Sequence, residues 1–299
     1  MRYRVIVNPV AGKGNGLKVR PIVEEAFQRA GADFEVVLTE HPGHGAELAR
    51  DAARAGYDVV VAVGGDGTMS EAVNGVSGTE TALGVIPAGT GNDLARTLGI
   101  PLDARLGAQY CLNPDFDVMD VGRERESYFA CLTSLGFPAD VMHYCNTRTG
   151  PFRGSLGIAF GVFATLSRLV PTEMEFEVDE GRTFRQRSTG VFVLNTRFVG
   201  GGMMVSPEAR YNDGLLDVVI MKDFGRLELT RVLPLVYHGK HVGHPKMELV
   251  KCRKIKVTTP EPMVKMYDGN VFGQSPLEAT LIPAALRVLV PKPNLRVER

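Results

Sequence analysis

Three short glycine-rich turns constrain this chain more than any other feature: residues 8–16 (NPVAGKGNG), 64–70 (GGDGTMS) and 87–93 (PAGTGND). Each follows an apolar run and opens a stretch with helical spacing, so each joins a strand to a helix. Such a turn needs glycine for steric reasons alone. It also lets backbone N–H groups approach an anion closely, with the partial positive charge of the following helix aimed at the same point. In a parallel sheet these turns line up at the carboxyl ends of the strands, where ligands collect. Three of them within the first 93 residues point to a nucleotide-phosphate site.

Up to about residue 118 the pattern alternates: residues 3–7 apolar, 17–30 helical, 34–38 apolar, 45–55 helical, and 58–63 almost wholly β-branched. Residues 71–76, 83–86 and 93–98 continue it as helix, strand and helix. Continuous Val and Ile runs separated by helices imply an α/β domain with a parallel sheet covered on both faces. Beyond Val118 come runs such as 191–195, 215–221, 255–259 and 286–290, separated by Gly, Pro, Asn and Asp. These read as a second, β-rich domain. The expected division is 1–118 and 119–299, with Pro114 and Asp115 as turn material near the boundary and the last strand able to return to the first domain. The polar, proline-bearing tail from Pro291 reads as surface.

Charge excludes one class of partner. Lys plus Arg and Asp plus Glu both number 34, so nothing suggests nucleic-acid binding driven by phosphate neutralisation. Cys111, Cys131, Cys145 and Cys252 form no CxxC pair, which fits reduced thiols in a cytoplasmic protein. No apolar leader precedes the first strand. Residues 156–170 (LGIAFGVFATLSRLV) are too short and too interrupted to span a bilayer. Leu156, Phe160, Phe163, Leu166 and Leu169 recur there at helical spacing, giving a helix packed on a sheet or, alternatively, one touching lipid.

Asp66 lies between glycines at the end of a buried strand, where a carboxylate would hold magnesium or its waters beside a phosphate chain; its plainer use is to cap the helix starting near Thr68. Glu71 and Asn74 share one helix face, and Thr90 can offer a hydroxyl to a phosphate. Asn92 and Asp93 read as helix caps. Asp213, in NDGLLDVVIM, reads by spacing as a plain turn residue, with metal ligation as the alternative. His238, His241 and His244 invite a zinc reading, but Gly239, Gly243 and Pro245 argue against a regular helix, and a structural role fits better.

Together these segments resemble the lipid kinase family of diacylglycerol kinases and sphingosine kinases, specifically its bacterial members. The similarity rests on NPVAGKG (8–14), TEHPGHGAELA (39–49), VGGDGTMSEAVNGV (63–76), IPAGTGNDLAR (86–96) and GGGMMVSPEARYNDGLLDV (200–218), and spans nearly the whole chain. The resemblance implies an N-terminal α/β domain similar to NAD kinase and phosphofructokinase, followed by a β-sandwich-like domain that takes the acceptor. It implies ATP contacts at Asn8, Thr39, Gly65, Asp66, Gly67, Thr68, Met69, Ser70, Glu71 and Thr90. It also implies Mg2+ held by Asp213 with the backbone carbonyls of Arg210 and Leu215.

One departure stands out. Family members carry an Asp-Gly-Glu triplet late in the second domain whose carboxylates activate the lipid hydroxyl; here it reads Asp268, Gly269, Asn270. Asparagine can orient a hydroxyl but cannot take its proton near neutral pH. The expectation is an ATP- and Mg2+-dependent kinase of a lipid hydroxyl, cytoplasmic and meeting the membrane surface transiently. Asp66 would organise magnesium and phosphate, Asp268 would serve as base or orienter, and Asn270 would bind the acceptor. The alternatives are an NAD kinase-like enzyme and a nucleotide- or lipid-binding protein that has lost transfer. The sequence leaves homodimerisation open.

Overall fold

The computed structural model describes residues 1–147 and 155–293, without the side chains of 155 and 156; the last residues of the polar tail, 294–299, lie outside this description. The chain forms two compact units, Met1–Val121 joined by the segment from Pro283, and Gly122–Ile282.

In the first unit, β1 (Arg2–Val7), β2 (Asp33–Leu38), β3 (Val59–Gly64) and β4 (Ala82–Pro87) alternate with α1 (Ala11–Arg29), α2 (His44–Arg54), α3 (Asp66–Val76), α4 (Asp93–Thr97) and α5 (Ala104–Leu112). The strands are parallel in the order β2-β1-β3-β4. Every residue of β3 and β4 is buried, which is why their sequences are unbroken apolar runs rather than alternating ones. Chain direction across the sheet reverses at β1. With right-handed crossovers, α1 therefore falls on one face and α2 and α3 on the other; α1 packs on α5, and α2 on α3. α5, which the sequence pattern did not announce, is capped by Asp103, whose carboxylate accepts the N–H groups of Arg105 and Leu106. It delivers Tyr110 to β4, where the buried hydroxyl both accepts from the N–H of Val85 and donates to its carbonyl.

The second unit begins within β5 (Asp115–Glu124) and continues through β6 (Ser127–Phe129), β7 (Leu132–Gly136), α6 (Phe137–Thr147), α7 (Ser155–Leu166), β8 (Thr172–Val178) and β9 (Arg182–Leu194). The short pair β10 (Phe198–Val199) and β11 (Met203–Met204) follows, then β12 (Leu216–Lys222), α8 (Arg226–Val236), β13 (Met247–Cys252), β14 (Lys254–Thr258), β15 (Val264–Tyr267) and β16 (Asn270–Gln274). The final strand β17 (Leu277–Val290) pairs with β14 through its first residues and then returns to β4 of the first unit, Val288 opposite Leu83.

β9 is long enough to serve two ladders. Its first half pairs with β8, its second with β7 and β12. Alternation sorts the side chains into two cores. Val191, Val193, Leu216, Val218, Ile220, Val250 and Cys252 face a β-sandwich interior completed by β8, β14 and β17. Phe192, Met221 and Met247 face the other way, under a layer made by α6, α7 and α8. Leu166 and Leu169 are buried in that layer, whereas Phe160 and Phe163 are exposed, and the side chain of Leu156 lies outside the description. Among the described residues no helix is long and apolar enough to cross a membrane.

Candidate active site

The three glycine turns interlock at the carboxyl ends of β1, β3 and β4. A methyl group on Gly12 would collide with the carbonyl oxygen of Ala88, and one on Gly89 would collide with the Cα of Gly65. These two positions are glycine because backbone meets backbone there. Side chains complete the lock: Asn8 Nδ2 donates to Thr68 Oγ1 at 3.0 Å, and Asn15 Nδ2 donates to the Ala88 carbonyl at 3.3 Å. Gly12, Lys13 and Gly14 lie consecutively in the left-handed region, Lys13 at φ 62°. For a residue with a Cβ that conformation costs about 1 kcal/mol, so the rest of the loop imposes it.

Asp66 and Glu71, the two acids of α3, serve neighbouring helices. Asp66 does not cap its own helix as one reading of the sequence had it. Its carboxylate accepts the N–H of Asn92 at 2.8 Å and of Asp93 at 2.6 Å, closing the start of α4. Burial pushes the Asp66 carboxyl up from its ordinary value, against the pull of those two amides and of the Arg96 guanidinium. Glu71 is not a solvated surface residue. Its two oxygens accept the N–H groups of Gly43 and Gly45 at 2.8 and 2.9 Å, closing the start of α2. One helix, α3, thus fixes the N-termini on both sides of it. Asn92 does not cap with its side chain; it clasps Gly89, accepting from the N–H and donating to the carbonyl.

Of the remaining expected nucleotide contacts, Thr39 is buried at the end of β2, its N–H bonded to the Val7 carbonyl. Met69 and Ser70 are buried inside α3, whereas Gly67 and Thr90 are exposed. Between the first and third turns lies a cavity of about 520 Å3 whose charged lining is Lys13, Lys18 and Arg96, with Thr90 at its edge. Among the described residues no acidic one lines it. An open site with three cations beside it suits a polyphosphate. Lys13 stands inside a turn already singled out. Arg96 ends the segment IPAGTGNDLAR and Lys18 carried no sequence signal; they come from different helices and meet only in the fold.

In the second unit Asp268 and Gly269 form the two-residue turn between β15 and β16, both at positive φ, as a hairpin of this type requires. The Asp268 carboxylate is buried and accepts three backbone N–H groups, from Ala130, Cys131 and Leu132, at 2.8 to 2.9 Å. Asn146 on α6 donates to the Gly269 carbonyl at 3.0 Å. Asn270 starts β16 exposed to solvent. The first two residues of the triplet are therefore a rigidly held turn, followed by the exposed Asn270. Nearby, the buried pair of Lys265 and Glu124 is completed by the Thr133 hydroxyl and the Pro276 carbonyl.

Asp213 accepts the N–H of Leu215 at 3.2 Å and pairs with Lys251 at 3.2 Å. Lys251 also stands 3.6 Å from Asp217, whose Oδ2 is buried without a hydrogen-bond donor and whose carboxyl burial pushes up. Two carboxylates share one ammonium here. The Asp213 carboxylate has the chemistry of the magnesium ligand implied for it, and its contact to Leu215 is through the N–H. The histidine cluster is not a metal site: His241 is buried, bonded through Nε2 to the Val205 carbonyl, and burial holds its pKa down. Among the described residues one three-ligand group occurs, His41, His44 and Glu47. His44 Nδ1 accepts the Glu40 N–H, which puts the ring proton on Nε2 and leaves no lone pair for a metal.

The diacylglycerol kinase catalytic domain matches residues 2–123, and the YegS C-terminal NAD kinase beta sandwich-like domain matches residues 132–290. A diacylglycerol kinase of Bacillus subtilis is 31% identical over 97% of each chain. The chain belongs to the diacylglycerol kinase family. A second relative, a diacylglycerol kinase of Mycobacterium tuberculosis, is 30% identical over 97% of this chain and 96% of its own. The fold of this family member is also that of a putative diacylglycerol kinase from Bacillus anthracis: the TM-score is 0.81 at 23% identity, covering 98% of this chain and 96% of the other.

Proposed function

We propose that this family member transfers the γ-phosphate of ATP, with magnesium, to the hydroxyl of a lipid such as diacylglycerol. The observation that carries this reading is the cationic cavity beside three interlocked turns, with Asp66 already bonded to the first amides of α4 and Glu71 to those at the start of α2. With those acids occupied by protein amides, the phosphate meets amides and cations rather than carboxylates. Phosphoryl transfer depends mainly on positioning and charge stabilisation, so a rigid cationic cradle supplies what the reaction needs most.

Asp268 is held by three backbone amides, so it acts as the orienter of the turn rather than as the base. Asn270, exposed at the start of β16, would hydrogen-bond the acceptor hydroxyl. The hydroxyl proton then leaves to an oxygen of the transferred phosphoryl group, and ADP departs with the bridging oxygen. Asp213 and the carbonyls of Arg210 and Leu215 would hold a structural magnesium, which supplies a fixed positive charge for Asp213 and Asp217.

The test is transfer of labelled γ-phosphate to diacylglycerol in mixed micelles, with NAD as acceptor in a parallel tube. Labelled phosphatidic acid supports the reading, and label on NAD replaces it. Asn270 favours one second reading, a nucleotide- and lipid-binding protein without transfer. In that case the native protein is silent in the assay and Asn270→Glu gains activity; turnover by the native protein at several per second, an ordinary enzyme rate, excludes it.

A further inference from the structure

Among the described residues, the helical layer of the second unit has an uncovered outer side. α6, α7 and α8 bury Phe137, Val141, Val162, Leu166, Leu229 and Val232 against one face of the β7-β9-β12-β13 ladder. Because they cover the same sheet face, their outer surfaces point away from that sheet together. On α7 this surface presents Phe160 and Phe163, 52% and 63% exposed, with Val170 just beyond at 65%. On α8 it presents Leu227 at 77% and Leu235 at 39%, each one helical turn from exposed Arg231. A soluble helix normally turns such side chains inward.

The charges on this surface have one prevailing sign. α7 contains no charged residue at all, and Arg168 follows it, exposed. α8 adds exposed Arg226 and Arg231. Its one acid, Glu228, is taken up by Lys246 and by the N–H of Gly225. The nearby Asp223 pairs with Arg187, and Asp140 on α6 lies in the field of Arg168 and His143. Aromatic and aliphatic side chains interleaved with arginines are what a helix lying in a lipid headgroup region carries: the apolar groups enter the acyl boundary and the guanidinium groups meet phosphates.

We infer that the outer faces of α7 and α8 dock this protein on an anionic lipid bilayer, through Phe160, Phe163, Leu227 and Leu235 with Arg168, Arg226 and Arg231. The inference rests on the lipid reading of the acceptor, since a water-insoluble substrate must be met where it resides. Its test does not depend on turnover.

The full chain is sedimented with vesicles of phosphatidylcholine alone or mixed with phosphatidylglycerol, at low and high salt. The variants are Phe160→Ser with Phe163→Ser, and Leu227→Ser with Leu235→Ser. All four side chains are substantially exposed, so circular dichroism and melting should match the native protein. Salt-sensitive binding to the mixed vesicles, weakened about tenfold or more by each pair of substitutions, is the expected result. Binding that neither pair weakens overturns the inference, as does equal binding to pure phosphatidylcholine. A native dimer that both pairs convert to monomer, with no vesicle binding, assigns the surface to a second copy of the chain instead. Transfer to a short-chain, water-dispersed diacylglycerol separates the two proposals. Variants that lose vesicle binding but keep this transfer support docking, variants that lose both place these residues in the acceptor site and overturn it, and a native protein that binds vesicles without transfer sinks the kinase reading alone.

Discussion

Replacing Asp66 separates two roles for the same carboxylate. If its main work is to hold the start of α4, Asp66→Ala removes two short bonds, to the N–H groups of Asn92 and Asp93 at 2.8 and 2.6 Å. Bonds to a charged acceptor contribute about 1.5–3 kcal/mol each, and loss of a helix cap costs about 1 kcal/mol. Part of this is offset, because burying the carboxylate is itself unfavourable, as the upward push on its pKa shows. The expected loss is about 2–3 kcal/mol for Asp66→Ala and about half that for Asp66→Asn, which keeps one acceptor. The chain has no tryptophan, so urea unfolding is followed by far-UV circular dichroism. With two units the curve can show two transitions, and the shift must then fall on the one that carries the N-terminal unit. ATP affinity should fall with stability, and more for Ala than for Asn. A direct phosphate or magnesium role without capping predicts the opposite pattern: unfolding within 0.5 kcal/mol of the native protein, the usual scatter of surface substitutions, while transfer is lost. That outcome would refute the capping argument.

Three further outcomes follow from particular contacts. Gly89→Ala forces a methyl group into the Cα of Gly65 and should destabilise the first unit by about 1–3 kcal/mol while weakening ATP binding, both read by urea titration with and without nucleotide. Lys265→Met strands the buried Glu124 carboxylate and should cost about 3–5 kcal/mol, whereas Lys265→Met with Glu124→Leu should recover most of that loss; equal losses in the single and double variants contradict the buried-pair argument. Burial pushes the Cys111 and Cys252 thiols up to about 12, so both stay neutral in the folded protein, and a maleimide at pH 7.5 should label neither until urea is added. Since these folded values lie above the unfolded thiol value near 8.5, their stabilising contribution is complete below that pH and declines as pH rises toward 12.

The first unit was largely legible in the chain because its sheet is buried on both faces. A strand such as VVVAVG has no reason to alternate, and glycine turns punctuate each junction, so order and turn positions could be read directly. The second unit was legible as strands but not as layers. α6 and α8 escaped notice because their apolar positions mix with proline, glycine and strand-like neighbours, and what makes them helices is the sheet face they cover, which local sequence does not state. The turn around Asp268 and Gly269 was visible as a dipeptide, yet the three amides that fix Asp268 lie more than 130 residues away in the chain.

What the sequence determined alone was the set of local necessities: where glycine must turn a strand into a helix, where apolar periodicity demands burial, and that residue 270 carries no carboxylate. What only the tertiary structure decided was which partner each polar side chain finds. Asp66 and Glu71 sit five residues apart on one helix and close two different neighbours; Lys13, Lys18 and Arg96 converge on one cavity from separate elements. Backbone geometry acts over a few residues and is written locally. Hydrogen bonds and charge pairs act across whatever distance folding abolishes, so their partners exist only once the chain has closed on itself.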